Sequence, residues 1–147
     1  MSWSTAVLST RTSVEKIEME LGSDSILTDA QVNNKIALAK TLIGNSTELY
    51  LTMEKEITVD ESASEVLLNV IANPTVLSTA SDYLVCSLIY EELSDGDDRS
   101  LYYVKAEKYH AYFETQFESA KMRFNIDRDL DGDIDIYRDS HVGVPLL

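Results

Sequence analysis

Cysteine is almost missing from this chain of 147 residues: Cys86 stands alone, so no internal disulfide can hold the fold. Glycine (5) and proline (2) are also scarce, which excludes collagen-like, linker-rich and low-complexity architectures. Long apolar runs are lacking too. The longest strongly apolar stretch, Tyr83 to Tyr90, is far short of the ~20 residues that span a bilayer. Met1 to Thr10 has neither the basic start nor the apolar centre of a secretory signal, so a cytosol-like compartment is expected, with no membrane partner. Positive charge is the last shortage. Against 26 acidic residues stand 12 basic ones, a net charge of −14. Such a surface is unsuited to gripping DNA or anionic lipid, which needs Lys and Arg to neutralise phosphates, but DNA can slide past it without sticking.

What is present is helical periodicity, and the length suits one ordinary domain. Thr12 and Glu15 have the spacing of a capping box for a short helix to Leu21, with Gly22 as its stop. Thr28 and Gln31 repeat that grammar ahead of a longer helix striped by Val32, Ile36, Ala39 and Ile43, which Gly44 and Asn45 are expected to weaken. A third helix is expected over Ala63 to Ala72, capped by Asp60 or Ser62 and ended by Asn73-Pro74. The next, Val76 to Leu93, is apolar almost all round and should be central. After a turn at Ser94 to Asp98 that also offers a cap, Arg99 to Phe124 carries the clearest stripe: Tyr102, Ala106, Tyr109, Phe113, Phe117, Ala120 and Phe124. The expected fold is all-α. A single bundle of four to five helices fills residues 1–124, and an Asp-rich loop with an extended tail fills 125–147.

The sharpest motif lies in that last segment. Asp127, Asp129 and Asp131 occupy positions one, three and five of an EF-hand-type loop, with Gly132 at six and Ile134 at eight. Asp133 at seven offers its carbonyl, and Asp135 at nine can bind through water. Position twelve departs from the pattern: Arg138 stands where a bidentate glutamate belongs, with Asp139 one step late. Two readings stand side by side, a Ca²⁺ loop and a solvated acidic turn whose Asp side chains bond their own backbone. No cofactor is required in either case. His110 and His141 lack companions for a zinc site, no nucleophilic or phosphate-binding arrangement is visible, and Cys86 reads as core. A non-enzymatic role is expected.

Two features point to partners. Tyr103 and Tyr112 lie off the main seam of the last helix and are candidates for a subunit interface, or else solvated ring edges. The stretch Val142, Gly143, Val144, Pro145, Leu146, Leu147 is apolar and suited to a partner's sheet edge or groove.

The layout resembles the head-tail connector (adaptor, or head-completion) proteins of tailed bacteriophages. The resemblance rests on Trp3-Ser4, the helix opened by Leu27 to Ala30, the run Ile89 to Asp98, the tyrosine-rich Tyr102 to Tyr109, and an Asp131-Gly132-Asp133 loop before a short tail. It covers most of the chain; the Tyr90 to Asp98 run and the acidic loop are its most specific parts. It implies a virion neck protein assembled in the host cytoplasm: a ring of identical subunits, twelve-fold to match the portal. The tail segment would reach into the portal, a stopper or tail protein would bind the opposite face, and duplex DNA would pass through unread. A calcium-dependent helical protein-binding module is the alternative from a different class.

Overall fold

A computed structural model describes residues 2–18, 28–57 and 66–135. Four α-helices form its frame: α1 (Arg11–Ile17), α2 (Asp29–Met53), α3 (Ser78–Ser94) and α4 (Leu101–Lys121). Short 3₁₀ turns occupy Trp3–Thr5, Leu67–Val70 and Pro74–Leu77. The all-α expectation holds.

Helix α3 is central, as its nearly unbroken apolarity requires. Leu84, Val85, Cys86, Ile89 and Tyr90 are all buried, and α1, α2 and α4 pack against it. Its contact with α4 is aromatic. Tyr102 stacks on Tyr90 (5.8 Å between ring centres), Tyr90 on Tyr109 (6.0 Å), Tyr109 on Tyr83 (6.1 Å), and Tyr83 meets Tyr112 edge-on (5.4 Å). Such pairs each contribute about 0.5–1.5 kcal/mol beyond the area they bury. The Tyr109 hydroxyl donates to Glu18 (2.7 Å), and Lys105 lies 3.6 Å from the same carboxylate, tying α4 to the end of α1.

The helix starts differ from expectation in α1, in α3, which begins at Ser78 after the 3₁₀ turn Pro74–Leu77 and not at Val76, and in α4, which begins at Leu101 and not at Arg99. Helix α2 is capped by Thr28 and Gln31 as read. Helix α1 is capped by Thr10, whose hydroxyl accepts from the Ser13 amide (3.1 Å) while Ser13 Oγ accepts from the Thr10 amide (2.9 Å). Glu15 is engaged by Arg11 (2.8 Å) and does not serve as the reciprocal cap. Glu18 is the C-cap, so α1 ends short of Leu21; residues 19–27 lie outside the described residues.

Gly44 does not interrupt α2. The indole of Trp3 and the side chain of Leu68 pack onto it, each 3.3 Å from where a Cβ would stand, so the glycine is a notch for two core neighbours. Residues 58–65 are outside the description, and the helix expected over Ala63 to Ala72 is corrected in the part that is described. Leu67–Val70 is a single 3₁₀ turn, and Ile71 is extended, paired antiparallel with Ile126. The Ala72 amide donates to the Asn125 carbonyl (2.8 Å) and the Asp127 amide to the Val70 carbonyl (2.8 Å). Backbone groups used across the molecule in this way are not available for helical i→i−4 bonds. Asn73 strengthens the clasp: its side chain donates to the Arg123 carbonyl (2.9 Å) and accepts from the Asn125 amide (2.7 Å).

The last helix is bounded by Ser100, whose hydroxyl accepts from the Tyr102 amide (3.1 Å), and it stops at Lys121. Ala106, Tyr109, Phe117 and Ala120 of its stripe are buried, while Phe124 follows the helix into the core. Ile126, beyond the end of that stripe, is equally buried.

Candidate metal site

The clasp between Ile71 and Ile126 is what positions the acidic loop. Burying Phe124 and Ile126 fixes the chain where the loop begins, leaving Asp127 only 8% exposed beside the core. From there the backbone turns sharply. Leu130 (φ 58°) and Gly132 (φ 94°) both take the left-handed region, which glycine adopts without steric cost.

Within this turn, carboxylate oxygens of Asp127, Asp129 and Asp135 all lie within 4.8 Å of one another. Three converging carboxylates can hold a metal ion, and oxygen donors of this kind suit a hard cation. The loop's own amides orient two of them. Asp127 accepts from the amides of Gly132 (2.8 Å) and Asp131 (3.3 Å), and Asp135 accepts from the Arg128 amide (2.7 Å). The Asp135 amide in turn donates to the Ile126 carbonyl (2.8 Å), so the far side of the loop is returned to the clasp.

The acidities separate accordingly. Desolvation pushes Asp127 upward, but the amides of Gly132 and Asp131 and contacts with Asp129 and Asp131 outweigh it, holding this carboxyl below its ordinary value. Asp129 moves the other way. Desolvation raises it first, and the neighbouring Asp127, Asp131 and Asp135 add to that, so it keeps a proton more readily than Asp127. A divalent cation would take that proton's place between the carboxylates.

Of the five aspartates read from sequence, the fold therefore gathers Asp127, Asp129 and Asp135. Asp131 accepts from the Asp133 amide (2.8 Å), and the exposed Asp133 is outside the cluster. Arg138, Asp139, His141 and the apolar Val142, Val144, Pro145, Leu146 and Leu147 lie outside the described residues. The anchor that positions the site was missed by sequence reasoning. Its signal was the Phe124-x-Ile126 alternation, a two-residue strand pattern directly after a helical stripe.

The remaining candidates are placed as follows. Tyr112 rests on Tyr83 and Tyr109 of its own chain, with about half its surface exposed. Tyr103 is half-buried beside a shallow α3–α4 groove lined also by Glu91, Glu107 and His110. His110 sits 3.2 Å from Glu114 on an exposed turn of α4. Cys86 is fully buried, and burial, with Asp82 and Glu18 nearby, pushes its thiol up to about 12, which leaves no thiolate at neutral pH. No described helix is long and apolar enough to cross a membrane. The chain matches no protein-family model, no curated protein and no solved structure to which it was compared.

Proposed function

We propose that this chain is a non-enzymatic head-tail connector subunit of a tailed bacteriophage, forming a ring between the portal and a stopper or tail protein. The observation that carries the proposal is the sequence layout: the Tyr90 to Asp98 run leading into a tyrosine-rich helix, followed by the Asp-rich loop and an apolar tail segment. An all-α frame and a net charge of −14 suit that role, since an acidic channel wall lets duplex DNA slide. In this reading Val142 to Leu147 enter the portal. Burying their four large aliphatic side chains contributes roughly 1.5–3 kcal/mol each before ordering costs, multiplied by the ring.

Deleting residues 142–147 and measuring co-sedimentation with the phage's portal protein tests it. The deleted chain should keep its cooperative melt and lose the portal. A normal melt with full co-sedimentation would place docking elsewhere, and a lost melt would make the tail part of the core.

The aspartate triad favours a second function, a calcium-dependent helical binding module. The loop from Asp127 to Asp135 would then bind Ca²⁺ and change the chain's shape. With Arg138 in place of the bidentate acid, the expected Kd is about 10⁻⁴ to 10⁻³ M.

A further inference from the structure

Two Asp-Gly steps occur in the chain, Asp95-Gly96 and Asp131-Gly132, and the fold treats them differently. Such a dipeptide can react with itself, because glycine puts no side chain in the way when its amide turns toward the preceding carboxyl. At Asp131-Gly132 both reacting groups are occupied. The Gly132 amide donates to Asp127 Oδ2 (2.8 Å), and Asp131 Oδ1 accepts from the Asp133 amide (2.8 Å). At Asp95-Gly96 neither group is held. Asp95 is the C-cap of α3 and Gly96 follows it, both exposed. Hydrogen bonds bracket the pair: the Asp95 amide donates to the Glu92 carbonyl (3.2 Å) and the Asp97 amide to the Ser94 carbonyl (2.9 Å). Between them, nothing among the described residues engages the Asp95 side chain or the Gly96 amide.

We propose that Asp95 is a site of spontaneous backbone isomerisation, and that the fold shields Asp131 from the same reaction. In the left-handed conformation of Asp95 (φ 50°, ψ 37°) the Gly96 nitrogen points away from the side chain, so the peptide plane between the two residues must flip before they meet. That flip breaks no hydrogen bond among the described residues, and glycine tolerates φ of either sign. The Gly96 nitrogen then attacks the carbon of the Asp95 side-chain carboxyl. A C–N bond forms and a C–O bond breaks, and the amide proton and the carboxyl hydroxyl leave together as water. The resulting five-membered succinimide takes that water back by hydrolysis at either carbonyl. One route restores Asp95. The other leaves isoaspartate, in which the main chain runs through the former side chain and is longer by a single carbon, with the charge unchanged. The added carbon falls in the turn that joins α3 to α4. The reaction involves no partner, so it is independent of the connector reading.

Freeing the Gly132 amide and the Asp131 carboxylate breaks two hydrogen bonds, so in the folded chain Asp95 should isomerise at least ~10-fold faster than Asp131. The test is incubation of the full chain in metal-free neutral buffer, then digestion and labelling of isoaspartyl carboxylates with isoaspartyl methyltransferase and a labelled methyl donor. Label should accumulate with time in the peptide that holds Asp95 and stay at background in the peptide that holds Asp131. In concentrated urea, where the protecting hydrogen bonds are lost, the two rates should converge. Asp95→Glu keeps the charge but cannot close a five-membered ring, and it should silence its peptide. Equal labelling of both sites in the folded chain would overturn the proposal. So would no label at Asp95, label that survives Asp95→Glu, or a rate difference that persists in urea.

Discussion

Two buried or crowded carboxylates set the residue-scale chemistry. Asp82 is buried on α3 and accepts from Ser13 Oγ (2.8 Å); desolvation raises its pKa, and hydrogen bonds from Ser9 and Ser13 only partly oppose this. A carboxyl whose folded value lies above its unfolded one stabilises the fold at low pH and loses that contribution as pH rises through the folded value. The melting temperature should therefore rise as pH falls through the folded value of Asp82 toward the ordinary carboxylate range, and the rise should shrink in Asp82→Asn. An unchanged slope in that variant would assign the effect to other groups. At the loop, Asp129 shares the upward direction, so cation and proton compete there. Calorimetry should show Ca²⁺ heats at neutral pH that weaken on acidification and vanish in a double variant Asp129→Ala, Asp131→Ala. Equal heats from both proteins would make the loop a solvated acidic turn.

Among the elements, α2 depends on a missing side chain. Trp3 and Leu68 occupy the space a Cβ at residue 44 would need, so Gly44→Val should cost about 1–3 kcal/mol through overpacking, read as a lower denaturation midpoint. No loss would mean that Trp3 moves aside freely. The same position shows where reading the chain alone runs short. Local grammar identified the Thr28 cap, the central α3 and the stripe of α4, because each is written in neighbouring residues. It expected Gly44 to weaken the helix because its role is set by Trp3 and Leu68, remote along the chain. It took the segment ending at Ala72 for a helix because the pairing of Ile71 with Ile126 is non-local. Asp127 and Asp129 were legible as a loop pattern, whereas their convergence with Asp135 rests on that clasp.

At the scale of the whole molecule, charge and shape act together. Acidic residues outnumber basic ones 26 to 12, aromatic packing between α3 and α4 holds the frame, and a clasp anchors the start of the acidic loop. A connector subunit would use the acidic wall for passing DNA and the apolar Val142 to Leu147 for the portal. The most direct measurement is the mass of the complex formed when the chain is mixed with purified rings of the portal protein that the connector reading proposes as its partner. The connector reading predicts a saturating assembly with one chain for each portal subunit, closed as a ring on one face. A portal that keeps its own mass in the presence of excess chain would contradict it.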